Sequence, residues 1–259
     1  MSSHPPNRSD EGLPQGPRTA NSKLETKNSK LKTQNSKLCF VCVGAGRGSR
    51  FGGDKLAQPL GDRTVFASAI GALMAAIPAA PLVVVVAPER LQEWRNRFRA
   101  DFPEALLVGG GARRQDSVRA GVAAAIGLGS EVVAIHDAAR PLVDPRDILS
   151  VVNGLGGGDG AILTARVSDS VKRITANDLV TETVDREGLR LALTPQVFRV
   201  ACLQQAWDAT GSEDEWTDES ILLENAGMRV RSVLAHHPNP KVTTPSDLQS
   251  IRILAEVAG

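Results

Sequence analysis

Six continuously apolar residues, Leu38 to Val43, stop abruptly at a loop in which Gly44, Gly46, Gly48, Gly52 and Gly53 are interleaved with Arg47, Arg50 and Lys55. A run this apolar does not alternate between a wet and a dry face, so it reads as a strand covered on both sides of a sheet. Glycines let the chain beyond it turn tightly and bring backbone N–H groups close to a ligand. The cations add charge to those amide dipoles, and phosphate oxygens are acceptors that use both. The loop therefore reads as a polyphosphate cradle at a strand end, where ligand-binding loops of α/β folds collect. A solvated surface loop is the plain alternative. Two familiar phosphate motifs do not fit. Asp54 separates Gly53 from Lys55 and Leu56 follows, which breaks a Walker loop; Ser49 or Phe51 stands where a dinucleotide fingerprint needs its third glycine.

From Leu38 onward, short β-branched runs alternate with helical stretches. Strands are expected at 38–43, 82–87, 131–135 and 161–167, and helices at 64–77, 88–101, 115–126 and 145–155. Asp144-Pro145 and Thr244-Pro245 each set a capping residue before a proline at a first helical position. The pattern predicts an α/β fold, a parallel-rich sheet sandwiched by helices, in one domain over residues 38–259. Two strand-like runs, 171–174 and 179–184, flank a turn-prone Ala-Asn-Asp. An isolated hairpin is marginal in water, so this arm, within about residues 168–190, is expected to pack on its own domain or on a second copy.

Residues 1–37 are polar and repeat Asn-Ser-Lys-Leu from Asn21, Asn28 and Asn35. One apolar residue per heptad is half of what a coiled-coil seam needs, so the composition predicts a disordered low-complexity extension. Across all 259 residues the net charge is +1, which argues against nucleic-acid binding by bulk electrostatics. No apolar run reaches a membrane span of ~20 residues, and the N-terminus has no signal-type apolar core. Three cysteines make a disulfide framework improbable and fit a reducing cytoplasm. Cys39 and Cys42 form a Cys-x-x-Cys, but residues three apart on a strand face opposite ways, which favours ordinary burial over a metal or redox pair.

Four further clusters carry candidate chemistry. Gly109 to Val118 is a glycine turn entering a helix, where backbone amides and Ser117 could read a base edge; a plain strand-to-helix turn is the simpler reading. His136-Asp-Ala-Ala-Arg-Pro141 lies at the carboxyl end of a buried strand, the edge where open α/β sheets bind ligands. Asp137 suits a hard cation such as Mg²⁺ and Arg140 suits a phosphate, with a structural Asp137–Arg140 ion pair as the alternative. His136 reads as a packing residue rather than a base. Asp169 to Arg173, Thr183 to Leu189 and Leu193 to Gln196 form the third cluster, and Asn239 to Pro245 the fourth. Each brings a hydroxyl or cation to the end of a strand or arm.

Taken in order, Gly-Ala-Gly-x-Gly-x-Arg, Lys55, Asp-Ser-Val, His-Asp-Ala-Ala-Arg-Pro, Thr-Val-Asp-Arg-x-Gly-Leu, Ala-Leu-Thr-Pro-Gln, Thr-Asp-Glu and Lys-Val-Thr resemble the 2-C-methyl-D-erythritol 4-phosphate cytidylyltransferase family. The resemblance covers residues 38 to the C-terminus. It implies a glycosyltransferase-A or nucleotidyltransferase-like fold with a protruding β-arm, and a homodimer whose active site is shared through that arm. The implied substrates are CTP and 2-C-methyl-D-erythritol 4-phosphate, with Mg²⁺, or Mn²⁺ in its place, held by Asp137. It assigns catalytic roles to Arg50, Lys55, Arg186 and Lys241. Gly44, Ala45, Gly46, Gly48, Gly110, Ser117 and Ala138 would bind the nucleotide. Arg140, Ser170, Thr217 and Lys241 would bind the acceptor, while Arg186 and Thr194 would reach it from the partner's arm. The chain differs from the usual family pattern at Leu56, Ala112 and Ser170. Rival readings are a cytidylyltransferase for another polyol phosphate such as ribitol 5-phosphate, a non-catalytic nucleotide-binding regulator, and a dinucleotide-dependent reductase, which the failed glycine spacing disfavours.

Overall fold

The expected buried strand is β1, Leu38–Val43, and it lies near the middle of a seven-stranded sheet. The computed structural model describes residues 37–46, 50–210 and 215–258. Residues 1–36 of the expected low-complexity extension, and Gly48, lie outside the described residues. Along β1 the side chains alternate between two apolar layers: Leu38, Phe40 and Cys42 enter one, Cys39 and Val41 the other. The two cysteines are thus buried on opposite faces, as their spacing predicts.

β1 pairs in parallel with β4 (Leu82–Val86) on one side and β6 (Val132–Asp137) on the other. β5 (Leu106–Gly109) extends the sheet beyond β4, and β7 (Gly160–Arg166) and β11 (Val230–Leu234) form the opposite edge. Between β6 and β7 runs β10, Arg190–Arg199, antiparallel to both. β10 is not among the strands expected from the sequence, and its Pro195 is unusual in a central strand. The fold accommodates it where the register with β7 shifts between Ala192 and Gln196. Two small hairpins stand outside this sheet: β2 (Pro59–Leu60) with β3 (Arg63–Thr64), and β8 (Val171–Ile174) with β9 (Val180–Val184).

Helices cover both faces. On one lie α1 (Val65–Ala76), α2 (Leu91–Asp101), α4 (Pro145–Gly154) and α7 (Pro245–Ala258), which bring Phe66, Trp94, Ile148 and Ile251 into the larger core. On the other lie α3 (Arg114–Gly127), α5 (Val200–Asp208) and α6 (Ser220–Asn225), contributing Val118, Leu203 and Leu223. The starts of α4 and α7 follow the sequence signals, and the structure adds a cap at α1. Thr64 caps α1 through Ala67 N at 3.1 Å, and Asp144 caps α4 through Arg146 N at 2.7 Å. At α7, Thr244 and Asp247 bond each other's backbone N–H reciprocally. α2 begins one turn later than expected, since Pro88–Arg90 forms a 3-10 turn first.

The β8–β9 hairpin is the protruding arm, and its turn passes through Asp178 at φ 59°. Its apolar residues Ile174, Leu179 and Val180 are 54–66% exposed, so the described part of this chain does not cover them.

α3 lies so close to the sheet that a Cβ on Gly121 would fall 2.4 Å from Val41 Cγ1 and 2.7 Å from Val85 Cγ2. Both valines sit within paired central strands and cannot retreat. Gly121→Val is therefore expected to cost about 2–3 kcal/mol, the scale of overpacking, in chemical denaturation. Unchanged stability would show that glycine does not set this helix–sheet distance.

Candidate functional site

Strand order places β1 between the strand that follows it through α1 and the strand that arrives through α3. Such a reversal leaves a crevice at the carboxyl ends of the strands. A cavity of about 570 Å³ lies there. The loop after β1 supplies Gly44, Ala45, Gly46, Arg50 and Lys55 to its wall, and the turn after β4 supplies Pro88 and Glu89. Gly110, Arg114 and Ser117 enter from the β5–α3 turn, Asp137 from the end of β6, and Lys241 and Thr243 from the segment before α7.

Asp137 is the electrostatic centre of this cavity. Lys241 Nζ donates to its Oδ2 at 2.6 Å, Arg114 approaches Oδ1 at 3.4 Å, and Arg140 Nε stands 4.0 Å from Oδ2. Burial alone would raise the carboxyl, but the Arg114 and Lys241 charges outweigh it and hold the group ionised, far below the usual carboxylate range. Arg114 Nη1 also lies 2.8 and 2.9 Å from the two oxygens of Glu219, which is 1% exposed. Burial pushes Glu219 up, partly offset by Arg114, while the two carboxylates hold the Arg114 guanidinium protonated against its own burial.

Behind Asp137 a hydrogen-bond relay fixes the strand end. The Asp137 N–H donates to Thr194 Oγ1 at 3.1 Å, and Thr194 Oγ1 lies 3.0 Å from His136 Nδ1. His136 Nε2 is 3.1 Å from the Arg140 carbonyl. A carbonyl only accepts, so the neutral ring carries its proton on Nε2, and Nδ1 accepts a hydrogen bond from the Thr194 hydroxyl. Asn239 joins in: its Nδ2 donates to the Thr194 carbonyl at 2.7 Å, and its own carbonyl accepts from Arg140 Nη1 at 2.6 Å. His136 is a sealed packing residue, as the sequence suggests.

Lys55 Nζ donates to the Val242 carbonyl at 2.8 Å, beside Lys241. Burial first, then the Lys241 charge, lowers its ammonium below the ordinary lysine value. Opposite, Gly110 and Ser117 touch closely: a Cβ on Gly110 would meet Ala45 Cβ at 2.5 Å and Ser117 Oγ at 2.6 Å. Ser117 Oγ accepts from Gly111 N at 3.1 Å, so the hydroxyl shapes the turn as well as facing the cavity.

Gly44, Ala45, Gly46, Arg50, Lys55, Gly110, Ser117, Asp137 and Lys241 thus meet as the sequence suggests. Arg140 stands just behind them. Two expectations need correction. Ala138 is fully buried beneath the glycine loop, its N–H bonded to Val43 O, and does not line the cavity. Thr194 is not carried on the arm: it sits in β10, 4% exposed, and braces Asp137 of its own chain. Ser170, Arg186 and Thr217 are exposed outside this cavity, with Arg186 Nη1 donating to the Ser168 carbonyl at the foot of the arm. The Asp137–Arg140 ion pair, the alternative reading of this motif, is present, but Lys241 and Arg114 are nearer. Arg114, Glu219 and Asn239 were missed as individual residues. Arg114 was legible only as the first helical residue of a glycine turn aimed at the strand end.

A mostly parallel sheet flanked by helices, with its cavity at the carboxyl edge, defines an open α/β protein with its ligand crevice at the strand ends. The family model for 2-C-methyl-D-erythritol 4-phosphate cytidylyltransferase (IspD) matches residues 38–256, and the chain belongs to that family. A bifunctional IspD/IspF enzyme of Rhodopseudomonas palustris (strain TIE-1) is 37% identical over 216 residues, covering 80% of this chain and 53% of the relative. The counterpart in Rhodospirillum rubrum is 39% identical over 212 residues, covering 81% and 54%. The chain spans about half the length of these curated relatives. Among solved structures, 2-C-methyl-D-erythritol 4-phosphate cytidylyltransferase from Thermus thermophilus superposes with a TM-score of 0.67 at 27% identity, covering 83% of this chain and 98% of that one. The 4-diphosphocytidyl-2C-methyl-D-erythritol synthase of Anaerococcus prevotii gives 0.74 at 22% identity, covering 85% and 98%, and supports the fold. Among the described residues, no helix is long and apolar enough to cross a membrane.

The relay predicts a pH dependence. Burial lowers the His136 imidazole from 6.5 to about 4. Between those values the unfolded chain binds a proton that the folded chain refuses, so stability is full above pH 6.5 and falls as the pH drops towards 4. The loss is at most about 3 kcal/mol. Glu219, raised by burial, acts in the opposite sense, so the imidazole's share is read by difference: denaturant stability of wild type should fall more steeply from pH 7 to 4 than that of His136→Asn. Parallel curves would show that folding does not lower the His136 imidazole.

Proposed function

We propose that this chain transfers the cytidylyl group of CTP to 2-C-methyl-D-erythritol 4-phosphate, forming 4-diphosphocytidyl-2-C-methyl-D-erythritol and pyrophosphate for isoprenoid precursor synthesis, with residues 38–259 as the catalytic unit. The observation that carries this reading is the convergence of Arg50, Lys55, Arg114 and Lys241 on one cavity at the sheet's carboxyl edge. Family membership supplies the choice of substrates.

On this reading an oxygen of the acceptor phosphate bonds to the α-phosphorus of CTP as the bond to the β-phosphate oxygen breaks. The nucleophile arrives ionised, so no general base is required; the barrier lies in bringing two polyanions together. Lys55 and Arg50 neutralise the triphosphate and the departing pyrophosphate, and fixed charges of this kind act most strongly where water is excluded. Gly44, Ala45, Gly46, Gly110 and Ser117 seat the nucleoside. Lys241 and Arg140 receive the acceptor phosphate. Arg140 Nε and Asn239 Oδ1, buried just behind the cavity, have no hydrogen-bond partner among the described residues.

The residues fit Mg²⁺ in one specific way. Asp137 is an ionised hard oxygen ligand on the cavity wall, but it stands alone: the described residues contain no group of three or more acidic, histidine or cysteine ligands. A single carboxylate suits an ion whose other ligands are phosphate oxygens and water. Asp137 would therefore hold Mg²⁺, or Mn²⁺, that comes with the nucleotide. When bound, the ion would supply further neutralisation of the triphosphate.

A pyrophosphate-release assay with CTP and a panel of polyol phosphates tests the reaction. 2-C-methyl-D-erythritol 4-phosphate should give the highest kcat/KM, and preference for ribitol 5-phosphate would overturn the acceptor assignment. Lys55→Ala should lower turnover by ~10²-fold or more, the scale for one lost charge stabiliser. Undiminished turnover would mean that the triphosphate lies elsewhere.

We also infer a homodimer in which the arm completes the partner's site. The exposed Ile174, Leu179 and Val180 on the arm, and the position of Arg186 outside the cavity of its own chain, support it. Arg186→Ala and Lys55→Ala proteins, each inactive, should then recover activity when mixed under subunit exchange. Random exchange leaves one intact site in every heterodimer, so recovery should approach about a quarter of wild type if the sites are independent. Verified exchange without recovery would place Arg186 in the site of its own chain.

A further inference from the structure

Asp54 is the residue immediately before Lys55, and it is tied down from three sides. Its Oδ1 accepts from Leu56 N at 3.1 Å and Ala57 N at 3.3 Å, bending the chain on the far side of Lys55. Its carbonyl accepts from Gln58 Nε2 at 3.0 Å. Its Oδ2 receives Arg90 Nη2 at 2.6 Å, across to the turn that follows β4. Arg90 is itself immobilised: Nε and Nη2 donate to Glu93 at 2.9 and 3.1 Å, and the guanidinium lies 5.0 Å from the ring centroid of buried Trp94. The Asp54–Arg90 pair therefore joins two walls of the cavity, the loop that carries Lys55 and the turn that carries Pro88 and Glu89.

Resting on the cytidylyltransferase reading above, we propose that Asp54 and Arg90 form a latch that sets where Lys55 meets the triphosphate, and that both are positioning residues for the transfer. Both side chains are about 30% exposed, and a pair so exposed contributes little to global stability. Its leverage is local. Lys55 ends on a single carbonyl bond at Val242, so the backbone at Asp54 is the other point that fixes its reach. Displacement of a reacting or charge-stabilising group by about 1 Å is enough to cost rate heavily.

The test uses Arg90→Ala, Asp54→Ala, the double variant and the conservative Arg90→Lys in the full chain. Each alanine variant should lose about tenfold in kcat/KM for CTP while the acceptor KM stays within about twofold. The double variant should be no worse than the poorer single, and Arg90→Lys should recover part of the loss. Wild-type kinetics with CTP in Arg90→Ala, or equal losses toward both substrates, would overturn the latch even if the melting midpoint fell. A second measurement does not depend on turnover: labelling of Lys55 by trinitrobenzenesulfonate, read by peptide mass spectrometry. Faster labelling in Arg90→Ala is expected, and an unchanged rate overturns the latch. Absence of pyrophosphate release by wild type would instead overturn the proposed reaction.

Discussion

The buried Asp137 carboxylate, ringed by Arg114, Lys241 and Arg140, is the contact on which the rest of the site depends. Its partners come from distant parts of the chain: the first turn of α3, the segment before α7, and the loop beyond β6 itself. Thr194 supports its backbone from β10. One charge at the end of one strand thus ties four segments to a common point. Removing one partner of a buried ion pair costs about 3–5 kcal/mol, because it strands the other charge, whereas the intact pair adds little net stability. The ring is better understood as a device for register than as a source of stability.

The surroundings of that ring are lopsided. Arg114, shared between Asp137 and Glu219, and Lys241 on Asp137 already balance these two carboxylates before Lys55, Arg50 and Arg140 are considered. Cations in excess at a cavity wall repel one another: burial first, then the Lys241 and Arg50 charges, lowers the Lys55 ammonium, against the opposing pull of Asp137. An arriving triphosphate would relieve that repulsion. Charge strain of this kind is expected where a polyanion binds.

Much of the fold was legible because it follows from short-range pattern. β1 falls where the apolar run stands, and α4 and α7 begin at the capping residues the sequence offers. What escaped was non-local. β10 carries Pro195, which speaks against a central strand until a register shift absorbs it. β6 runs two residues beyond its apolar stretch because His136 and Asp137 find partners in β10 and the C-terminal segment. Among site residues, the glycines, Lys55 and Asp137 announce themselves by type and place. Arg114 and Glu219 do not, since 105 positions separate them and only folding makes them a pair. Thr194 shows the converse case: its hydroxyl, expected at a ligand, is buried in β10 and accepts the Asp137 N–H.

His136 sharpens the same point on the chemical side. A histidine next to an aspartate at a strand end is the residue type that first suggests acid–base chemistry. Here the ring is fully buried, both nitrogens are engaged, and burial takes the imidazole down to about 4, so it is neutral at physiological pH and cannot exchange protons with the cavity. A base would be redundant in the proposed transfer, because the acceptor phosphate is already an anion. The sealed ring serves the one requirement that remains, which is geometry: it couples the Arg140 carbonyl to Thr194 and through it to the Asp137 backbone. Catalytic power in such a site has to come from where its charges are held, and the uncharged residues around Asp137 are what hold them.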